Sequence, residues 1–280
     1  MREVSAKVFT AVIAKLIKEA NYELPLQVKK AIIKSSYKET SKLGKYIFKQ
    51  MLENISIAPK KEMPLCQDTG IQEIFVSIGR NIFVKGNIEE AINKGVSIAT
   101  KEGKLRASIV KSPLFERINT KNNTPAVIHY KFTAGERIKI TVMPKGFGSE
   151  NASAVKMLTP SQGIEGVKNF VLEVVKETGS NACPPLFLGI GVGGSMSNVT
   201  LLAKEALLRP LNTSNPDKKI AKLEKGLLKK INKLGIGPQG VGGKVTALNV
   251  SIKDSPTHIG GLPVCVNLSC YLLRYKSVII

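Results

Sequence analysis

The chain has 280 residues, of which 43% are hydrophobic, and its mean hydropathy is +0.02. This length suits one large domain or two small ones, and it can bury a full core without disulfides. The apolar fraction excludes wholesale disorder. Because lysines interrupt the apolar runs, no membrane-spanning segment is predicted. The N-terminal stretch lacks the unbroken apolar run and cleavage site of a signal peptide, so we expect a cytoplasmic protein.

The net charge is +21, from 42 Lys and Arg against 21 Asp and Glu. Only seven of the basic residues are Arg, and the lysines are scattered without a basic block. Nucleic-acid binding favours Arg and aromatic side chains, yet aromatic residues make up 5% of the chain and Trp is absent. We therefore expect no nucleic-acid or membrane partner. The excess of positive charge is typical of a solvated lysine-rich surface, and it favours the binding of anionic small molecules or an acidic partner.

Apolar residues at helical spacing predict three helices at the start of the chain. The first covers residues 4–17, the second follows Pro25 and runs to about Tyr37, and the third covers 42–55. A loop with two prolines and a glycine follows, APKKEMPLCQDTG. Residues 1–57 are therefore predicted to be a helical N-terminal region.

Strands and helices then alternate along the rest of the chain. Strands are predicted at 73–79, 126–130, 137–143 and 186–190, and in the tail from Lys244 onward. Helices are predicted at 88–101, at 152–158, at 163–178, after GVGGS to about Leu208, and at 217–234. This alternation predicts an α/β (mixed α+β) fold, with residues 1–280 forming a single domain.

Two glycine-rich segments are candidate anion sites. GIGVGG at 189–194 satisfies the G-x-G-x-x-G pattern of dinucleotide-binding folds, but the acidic residue expected about 20 positions later on a second strand is missing. We favour a tight turn whose backbone N–H groups face an anion. In KGFGSEN, Gly146 and Gly148 permit close backbone approach, and Ser149 is a candidate N-cap of the helix predicted to follow.

Four cysteines are spread over distant parts of the chain, at positions 66, 183, 265 and 270, without a C-x-x-C pair. Cys66 and Cys183 lie in Pro- and Gly-containing loops, whereas Cys265 belongs to an apolar alternation typical of a strand core. The spacing leaves three possibilities open: packing thiols, a nucleophile, or cluster ligands. Three thiolates on a [4Fe–4S] cube would leave one iron open to act as a Lewis acid.

Eight segments, in order, resemble the class I fumarate hydratases and the related L-tartrate dehydratases, which are iron–sulfur hydro-lyases. These segments are PLCQDTG, LRASIV, NTPAVIHY, PKGFGSENAS, CPPLFLGIGVGGS, AKEALLRPL, NKLGIGPQGVGG and THIGGLPVCVNLSC. The resemblance covers nearly the whole chain and is to the N-terminal half, or separate α subunit, of such enzymes. It implies a β subunit that carries the swivelling second half, with further Arg and Lys residues and the proton-abstracting group, and an assembly of dimerised αβ units.

The resemblance implies that Cys66, Cys183 and Cys270 are the three ligands of a [4Fe–4S] cluster. Cys265 falls where the family has a small apolar residue and is left out. Arg274 is the basic residue that matches those after the last cysteine in the family, and its role stays open.

The resemblance also implies a set of substrate contacts. Gln67 would hydrogen-bond the substrate, and Asp68 would stand beside the carbon that loses a proton. Arg106 would clamp a substrate carboxylate in a bidentate fork. The backbone around Gly148 would donate to a carboxylate. His258 would bind a carboxylate or hydroxyl and serve as an acid.

The implied reaction is the reversible hydration of fumarate to (S)-malate, a step of the tricarboxylic acid cycle. L-Tartrate dehydration is the rival within the family. A basic nucleotide- or nucleic-acid-binding module that uses GIGVGG and the lysines is an alternative of a different class. A regulatory or assembly protein that keeps the fold without a β partner is a third.

Overall fold

The computed structural model describes residues 1–280. Eight α-helices and twelve strands in mixed sheets confirm the α/β (mixed α+β) class. The chain falls into two compact units: unit 1 comprises Met1–Pro25, Asn54–Phe147 and Arg274–Ile280, and unit 2 comprises Leu26–Glu53 and Gly148–Leu273. That residues 1–280 act as one domain stays a prediction. None of the helices has both the length and the apolar composition needed to cross a bilayer.

The helices are α1 (Lys7–Tyr22), α2 (Leu26–Ser36), α3 (Lys42–Lys60), α4 (Ile88–Glu102), α5 (Phe147–Asn151), α6 (Gly163–Thr178), α7 (Met196–Leu207) and α8 (Lys218–Asn232). The strands are β1 (Arg2–Ser5), β2 (Ile71–Gly79), β3 (Ile82–Lys85), β4 (Val110–Lys111), β5 (Ile118–Asn119), β6 (Val127–Thr133), β7 (Ile138–Lys145), β8 (Ala154–Leu158), β9 (Leu186–Gly194), β10 (Ala247–Thr257), β11 (Leu262–Ser269) and β12 (Lys276–Ile279).

Unit 1 is built on a four-stranded sheet in the order β12–β7–β2–β6, in which β2 pairs with β6 in parallel and with β7 antiparallel. Helices α1 and α4 cover this sheet, and their buried faces share one core with it. Gly95 of α4 lets the two helices approach closely, because a Cβ there would lie 2.8 Å from the carbonyl oxygen of Thr10 on α1. The short antiparallel pair β4–β5 forms a separate hairpin.

Unit 2 is built on a second four-stranded sheet, β10–β9–β11–β8, with β10 parallel to β9 and the other pairs antiparallel. Helices α6 and α8 pack on one face, against Leu188 and Ile190 of β9. The alternate residues of the strand, Gly189 and Gly191, face α7 instead, because successive side chains of a strand point to opposite faces. The sheet of unit 2 is therefore covered by helices on both sides.

Most of the predicted elements are confirmed within a few residues, but two differ. The predicted helix at 152–158 is wrong: only α5 is helical there, and Ala154–Leu158 forms the strand β8, which pairs with β11. Ser149 lies inside α5 and does not cap a following helix. At the N-terminus, Val4 belongs to β1, which pairs in parallel with β3, so the first helix begins at Lys7.

The prediction that GIGVGG forms an anion-facing turn is wrong. Residues 189–194 lie within β9 and pair with β10 along their whole length. A Cβ on Gly189 or Gly191 would lie 2.1 Å from a backbone carbonyl oxygen of α7. These glycines are required because the helix packs directly on the strand backbone, and they do not form a nucleotide-binding loop.

Candidate active site

A cavity of ≈ 610 Å³ in unit 1 contains two of the residues expected to contact substrate, Asp68 and Arg106. Asp68 lies on the loop between α3 and β2, and Arg106 on the irregular segment that follows α4. Ser108, Arg117 and Asn119 add further polar lining. The fold therefore brings a carboxylate and a guanidinium together at one concave surface, as a site for a charged polar ligand requires.

Two backbone N–H groups fix the orientation of the Asp68 carboxylate. Gly70 donates to Oδ1 at 3.0 Å, and Phe147 donates to Oδ2 at 2.8 Å. Gly70 has a φ of +74°, and a Cβ there would lie 2.5 Å from the carbonyl oxygen of Lys145. Only glycine fits this turn, so the QDTG sequence sets the direction of the carboxylate.

Arg274, whose role the sequence left open, is almost fully buried and supports the loop that carries Asp68. One of its guanidinium nitrogens, Nη2, donates to the backbone carbonyl of Asp68 at 2.8 Å, and Nη1 donates to Oδ1 of Asn21 at 3.0 Å. Its Nε has no hydrogen-bond partner. Arg274 therefore acts on the backbone of the loop and does not line the cavity.

The side chain of Arg106 is exposed, and its guanidinium makes no hydrogen bond or ion pair within the chain. Its backbone carbonyl is engaged: the hydroxyl of Thr69 donates to it at 3.2 Å. Because Thr69 follows Asp68 directly, this bond ties the two cavity-lining residues to each other through the backbone. The guanidinium is left available for an anionic ligand.

Cys66 and Gln67 precede Asp68 on the same loop. Cys66 is half-buried, Gln67 is exposed, and the thiol of Cys66 donates to Oε1 of Gln67 at 3.3 Å. The loop is anchored upstream by a hydrogen bond from the backbone N–H of Leu65 to the carbonyl oxygen of Asn21, at 2.8 Å. Three of the predicted site residues are therefore consecutive on one tethered loop of unit 1.

In unit 2, the structure brings the segments that carry Cys183 and Cys270 together. The backbone N–H of Tyr271 donates to the carbonyl oxygen of Cys183 at 3.4 Å. Cys183 is exposed and has a φ of +53°, which is uncommon for a residue other than glycine and occurs often at functional sites. Cys270 is half-buried and follows the last residue of β11.

Cys265 differs from the other three cysteines. It is buried on β11, where it packs against Val199 and Ala203 of α7. Burial, with a smaller contribution from the nearby Glu150 carboxylate, raises the pKa of the Cys265 thiol to about 12. Since metals bind thiolates, this thiol is poorly suited to be a ligand.

Gly148 and His258 also lie in unit 2. Gly148 is exposed on α5, and a Cβ there would lie 3.6 Å from the carbonyl oxygen of Asn181, two residues before Cys183. His258 is exposed and lines a mainly apolar cavity of ≈ 490 Å³ together with Asp254 and Thr257. The backbone N–H of Gly260 donates to Nδ1 of His258 at 3.0 Å. The neutral imidazole therefore carries its proton on Nε2.

No group of three or more His, Cys, Asp or Glu side chains is arranged around a common point where it could hold a metal ion. All four cysteines are free of disulfides. Cys66, Cys183 and Cys270 lie on loops or at a strand end, and none of them is fully buried, so each thiol is by itself accessible to a ligand.

Residues 10–279 match the family model described as fumarate hydratase (Fumerase). The chain belongs to the fumarate hydratase family. The match covers both cavities, all four cysteines and the eight segments quoted above.

Relatives within this family carry the names of α subunits. The chain is 44% identical over 268 residues to a protein of Methanocaldococcus jannaschii provisionally named L(+)-tartrate dehydratase subunit alpha, with 94% of each chain covered. It is 34% identical over 246 residues to the L(+)-tartrate dehydratase subunit alpha of Escherichia coli O157:H7, covering 86% of this chain and 80% of the relative. The identity to the subunit of strain K12 is 33% over 246 residues. The chain is thus a hydro-lyase of the fumarate hydratase and tartrate dehydratase α-subunit family.

In this member of the fumarate hydratase family, the sequence leaves the role of Arg274 open and does not indicate Asn21 or Asn123, although all three hold the site in place. Arg274 and Asn21 support the Asp68 loop, and Asn123 is fully buried beside Arg106. Asn123 opens the quoted NTPAVIHY segment, so the signal was present. However, its partner is 17 positions away, and nothing local indicates the contact.

Proposed function

We propose that the chain is the α subunit of an iron–sulfur-dependent hydro-lyase that hydrates fumarate reversibly to (S)-malate. A single observation carries the proposal: the oriented carboxylate of Asp68 and the unpaired guanidinium of Arg106 line the same cavity. A hydro-lyase that acts on a dicarboxylate needs a cation for a substrate carboxylate and an acid–base group beside the reacting carbon.

In this proposal, Arg106 binds one substrate carboxylate and so sets the position of the carbon chain in the cavity. Asp68 stands beside the carbon that loses or gains the proton, where it assists a base on the partner subunit. Because two backbone N–H groups hold the Asp68 carboxylate, little reorganisation is needed before proton transfer. Gln67, exposed on the same loop, adds a hydrogen bond to the substrate.

Three cysteines of the chain are proposed as cluster ligands: Cys66, Cys183 and Cys270. When bound, a [4Fe–4S] cluster with three cysteine ligands supplies a Lewis acid for the substrate hydroxyl. The exclusion of Cys265 is supported by its burial and by its thiol pKa of about 12.

His258 is proposed to donate a hydrogen bond from Nε2–H to a substrate carboxylate or hydroxyl. The bond from the Gly260 N–H to Nδ1 fixes both the tautomer and the ring orientation, so Nε2 is the nitrogen that is free to act. Gly148 is proposed to present its backbone N–H to a carboxylate, because its exposed position leaves room for a ligand.

L-Tartrate is the second candidate substrate. The names of the relatives favour it, whereas the family description names fumarate. Both substrates are four-carbon dicarboxylates, and they require the same cation and the same Lewis acid.

The proposed partner is a β subunit, because the relatives are named as α subunits. We further propose a dimer of αβ units. The proposed location is the cytoplasm, where the four free thiols would remain reduced.

The test is co-expression of the chain with the β subunit, anaerobic purification, and measurement of fumarate hydration and L-tartrate dehydration on the same preparation. Cys66→Ser, Cys183→Ser and Cys270→Ser should each lose the visible absorbance of the cluster and the activity with it. Cys265→Ser is the matched control and should keep both.

Each outcome bears on a different part of the proposal. A wild-type complex that stays colourless after anaerobic reconstitution with iron and sulfide would refute the cluster. A coloured complex in which Cys265→Ser loses absorbance like the other three would refute the ligand set. A coloured complex that dehydrates tartrate but does not hydrate fumarate would decide for the second substrate.

A further inference from the structure

The segment that carries Arg106 has no regular secondary structure, although it lines a site that requires a fixed geometry. Residues 105–109 belong to no helix or strand. Backbone N–H and C=O groups outside a ladder must find other partners or lose stability.

Two asparagine side chains supply those partners. Asn123 donates from Nδ2 to the carbonyl oxygen of Arg106 at 2.7 Å and accepts at Oδ1 from the N–H of Ser108 at 2.6 Å. Asn119 donates from Nδ2 to the carbonyl oxygen of Ala107 at 2.9 Å. The amide of Asn123 thus pairs with the segment as a neighbouring strand would, on both sides of Ala107.

The fold of unit 1 holds Asn123 in a fixed position. Its side chain is fully buried, and its φ of +59° is one that Asn tolerates better than most residues. Its Nδ2 also lies 3.4 Å from the hydroxyl of Thr100 on α4, which connects the segment to a core helix. The carbonyl of Arg106 also accepts two longer bonds, from the hydroxyl of Thr69 at 3.2 Å and from that of Ser108 at 3.4 Å.

We propose that Asn119 and Asn123 form an amide clamp, and that Asn123 is the positioning residue that directs the Arg106 guanidinium into the cavity beside Asp68. Asn123 does not line the cavity and reaches substrate only through Arg106. The inference rests on the proposed function of Arg106 as the group that binds a substrate carboxylate.

The test uses Asn123→Asp in the co-expressed αβ complex. This change keeps the shape and the acceptor for Ser108, but it replaces the donor to Arg106 with a carboxylate oxygen that repels the carbonyl. Because Arg106 binds the substrate carboxylate equally in the ground state and in the transition state, we expect KM to rise about tenfold. The value of kcat should stay within about twofold of that of the wild type. The dissociation constant of succinate, a dicarboxylate without a double bond to hydrate, should rise by the same factor in calorimetry.

Asn232→Asp is the matched control. The amide of Asn232 also holds backbone: it accepts from the N–H groups of Thr246 at 2.7 Å and Ala247 at 2.9 Å and donates to the carbonyl of Ala247 at 3.1 Å. Asn232 belongs to unit 2 and lines neither cavity. It should lower the melting temperature and leave KM and succinate binding unchanged.

Arg106→Gln and the Arg106→Gln/Asn123→Asp double variant separate positioning from general stability. If Asn123 acts only through Arg106, the double variant should bind succinate as weakly as Arg106→Gln alone. An additive loss, or Asn123→Asp with unchanged KM, would overturn the clamp. Should Asn123→Asp fail to fold, Thr100→Val replaces it in the same cycle, because it removes the hydroxyl beside Nδ2 of Asn123 without touching the cavity lining; KM should then rise about threefold. If Arg106→Gln itself leaves succinate binding unchanged, the proposed role of Arg106 fails instead.

Discussion

The carboxylate of Glu39 anchors the glycine-rich loop GIGPQGVGGK in unit 2. Glu39 is 1% exposed and accepts four backbone hydrogen bonds. Thr40 and Ser41 donate to Oε1 at 2.8 and 2.9 Å, Lys244 donates to Oε1 at 3.2 Å, and Val245 donates to Oε2 at 3.0 Å. We predict that Glu39→Gln destabilises the chain although it preserves the shape of the side chain.

The size of the effect follows from these bonds. The amide oxygen of Gln can keep the three bonds at Oε1, but they become neutral and each loses up to about 1 kcal/mol. The amide NH2 would face the buried N–H of Val245, and an unsatisfied buried donor costs about 1–3 kcal/mol. We therefore expect the free energy of unfolding to fall by about 3 kcal/mol at neutral pH.

The effect depends on pH in a definite direction. Burial raises the pKa of the Glu39 carboxyl, but the backbone N–H groups of Ser41, Lys244, Val245 and Thr40 together outweigh it, so the pKa in the folded chain lies below the ordinary value of 4.5. The stability contributed by the ionised group is complete above that ordinary value and is lost as the pH falls through the lowered pKa. The difference between wild type and Glu39→Gln should therefore be constant from pH 8 to about 5 and shrink below about 4.5.

Urea unfolding of the purified chain, followed by circular dichroism across this pH range, measures the difference. Glu53→Gln is the control, because Glu53 is exposed on α3 and its carboxylate makes no hydrogen bond or ion pair. Equal midpoints for wild type and Glu39→Gln at pH 7, or a difference that grows as the pH falls below 4.5, would refute the reasoning.

Three further predictions concern the strand β9, the Asp68 loop and the thiols. Gly191→Ala should lower the free energy of unfolding by about 2 kcal/mol or more, because the methyl group would lie 2.1 Å from a backbone carbonyl oxygen of α7. Gly226→Ala is the comparison: it lies on the open surface of α8 and should raise the free energy of unfolding by about 0.5–1 kcal/mol. Urea unfolding measures both changes. Arg274→Gln should lower the free energy of unfolding by about 2 kcal/mol, and it should lower kcat/KM in the αβ complex because the Asp68 loop loses its anchor. An unchanged kcat/KM would contradict this prediction. Iodoacetamide at pH 8 should label exposed Cys183 well before Cys265, whose thiol pKa is about 12, and mass spectrometry of timed samples checks the order.

The sequence predicts the helices of this chain well because their signal is local. The i, i+4 spacing of Ile13 and Ile17 marks the buried face of α1. Asp217, the first residue of the predicted helix 217–234, is the N-cap of α8. The strand β8 was missed because Ala, Met and Leu are good helix formers, and only pairing with β11 overrides that preference.

The residues that line the candidate site could be predicted from the sequence, but the residues that hold its loops in place could not. The resemblance supplies Asp68 and Arg106, and the structure places both in one cavity. The bond from Arg274 to Asp68 spans 206 positions, and the bond from Asn123 to Arg106 joins a side chain to a backbone carbonyl. Neither contact leaves a periodic pattern in the sequence, so neither can be inferred before the fold is known.

The division of the chain into interleaved segments has a consequence for biosynthesis. Strand β7 pairs on one side with β2, which the ribosome makes first, but its other neighbour, β12, begins only at Lys276. During translation, the outer edge of β7 stays unpaired while the whole of residues 148–273 emerges. An open strand edge of this kind is prone to pair with other chains. The nascent chain is therefore exposed to aggregation until β12 emerges and pairs with β7.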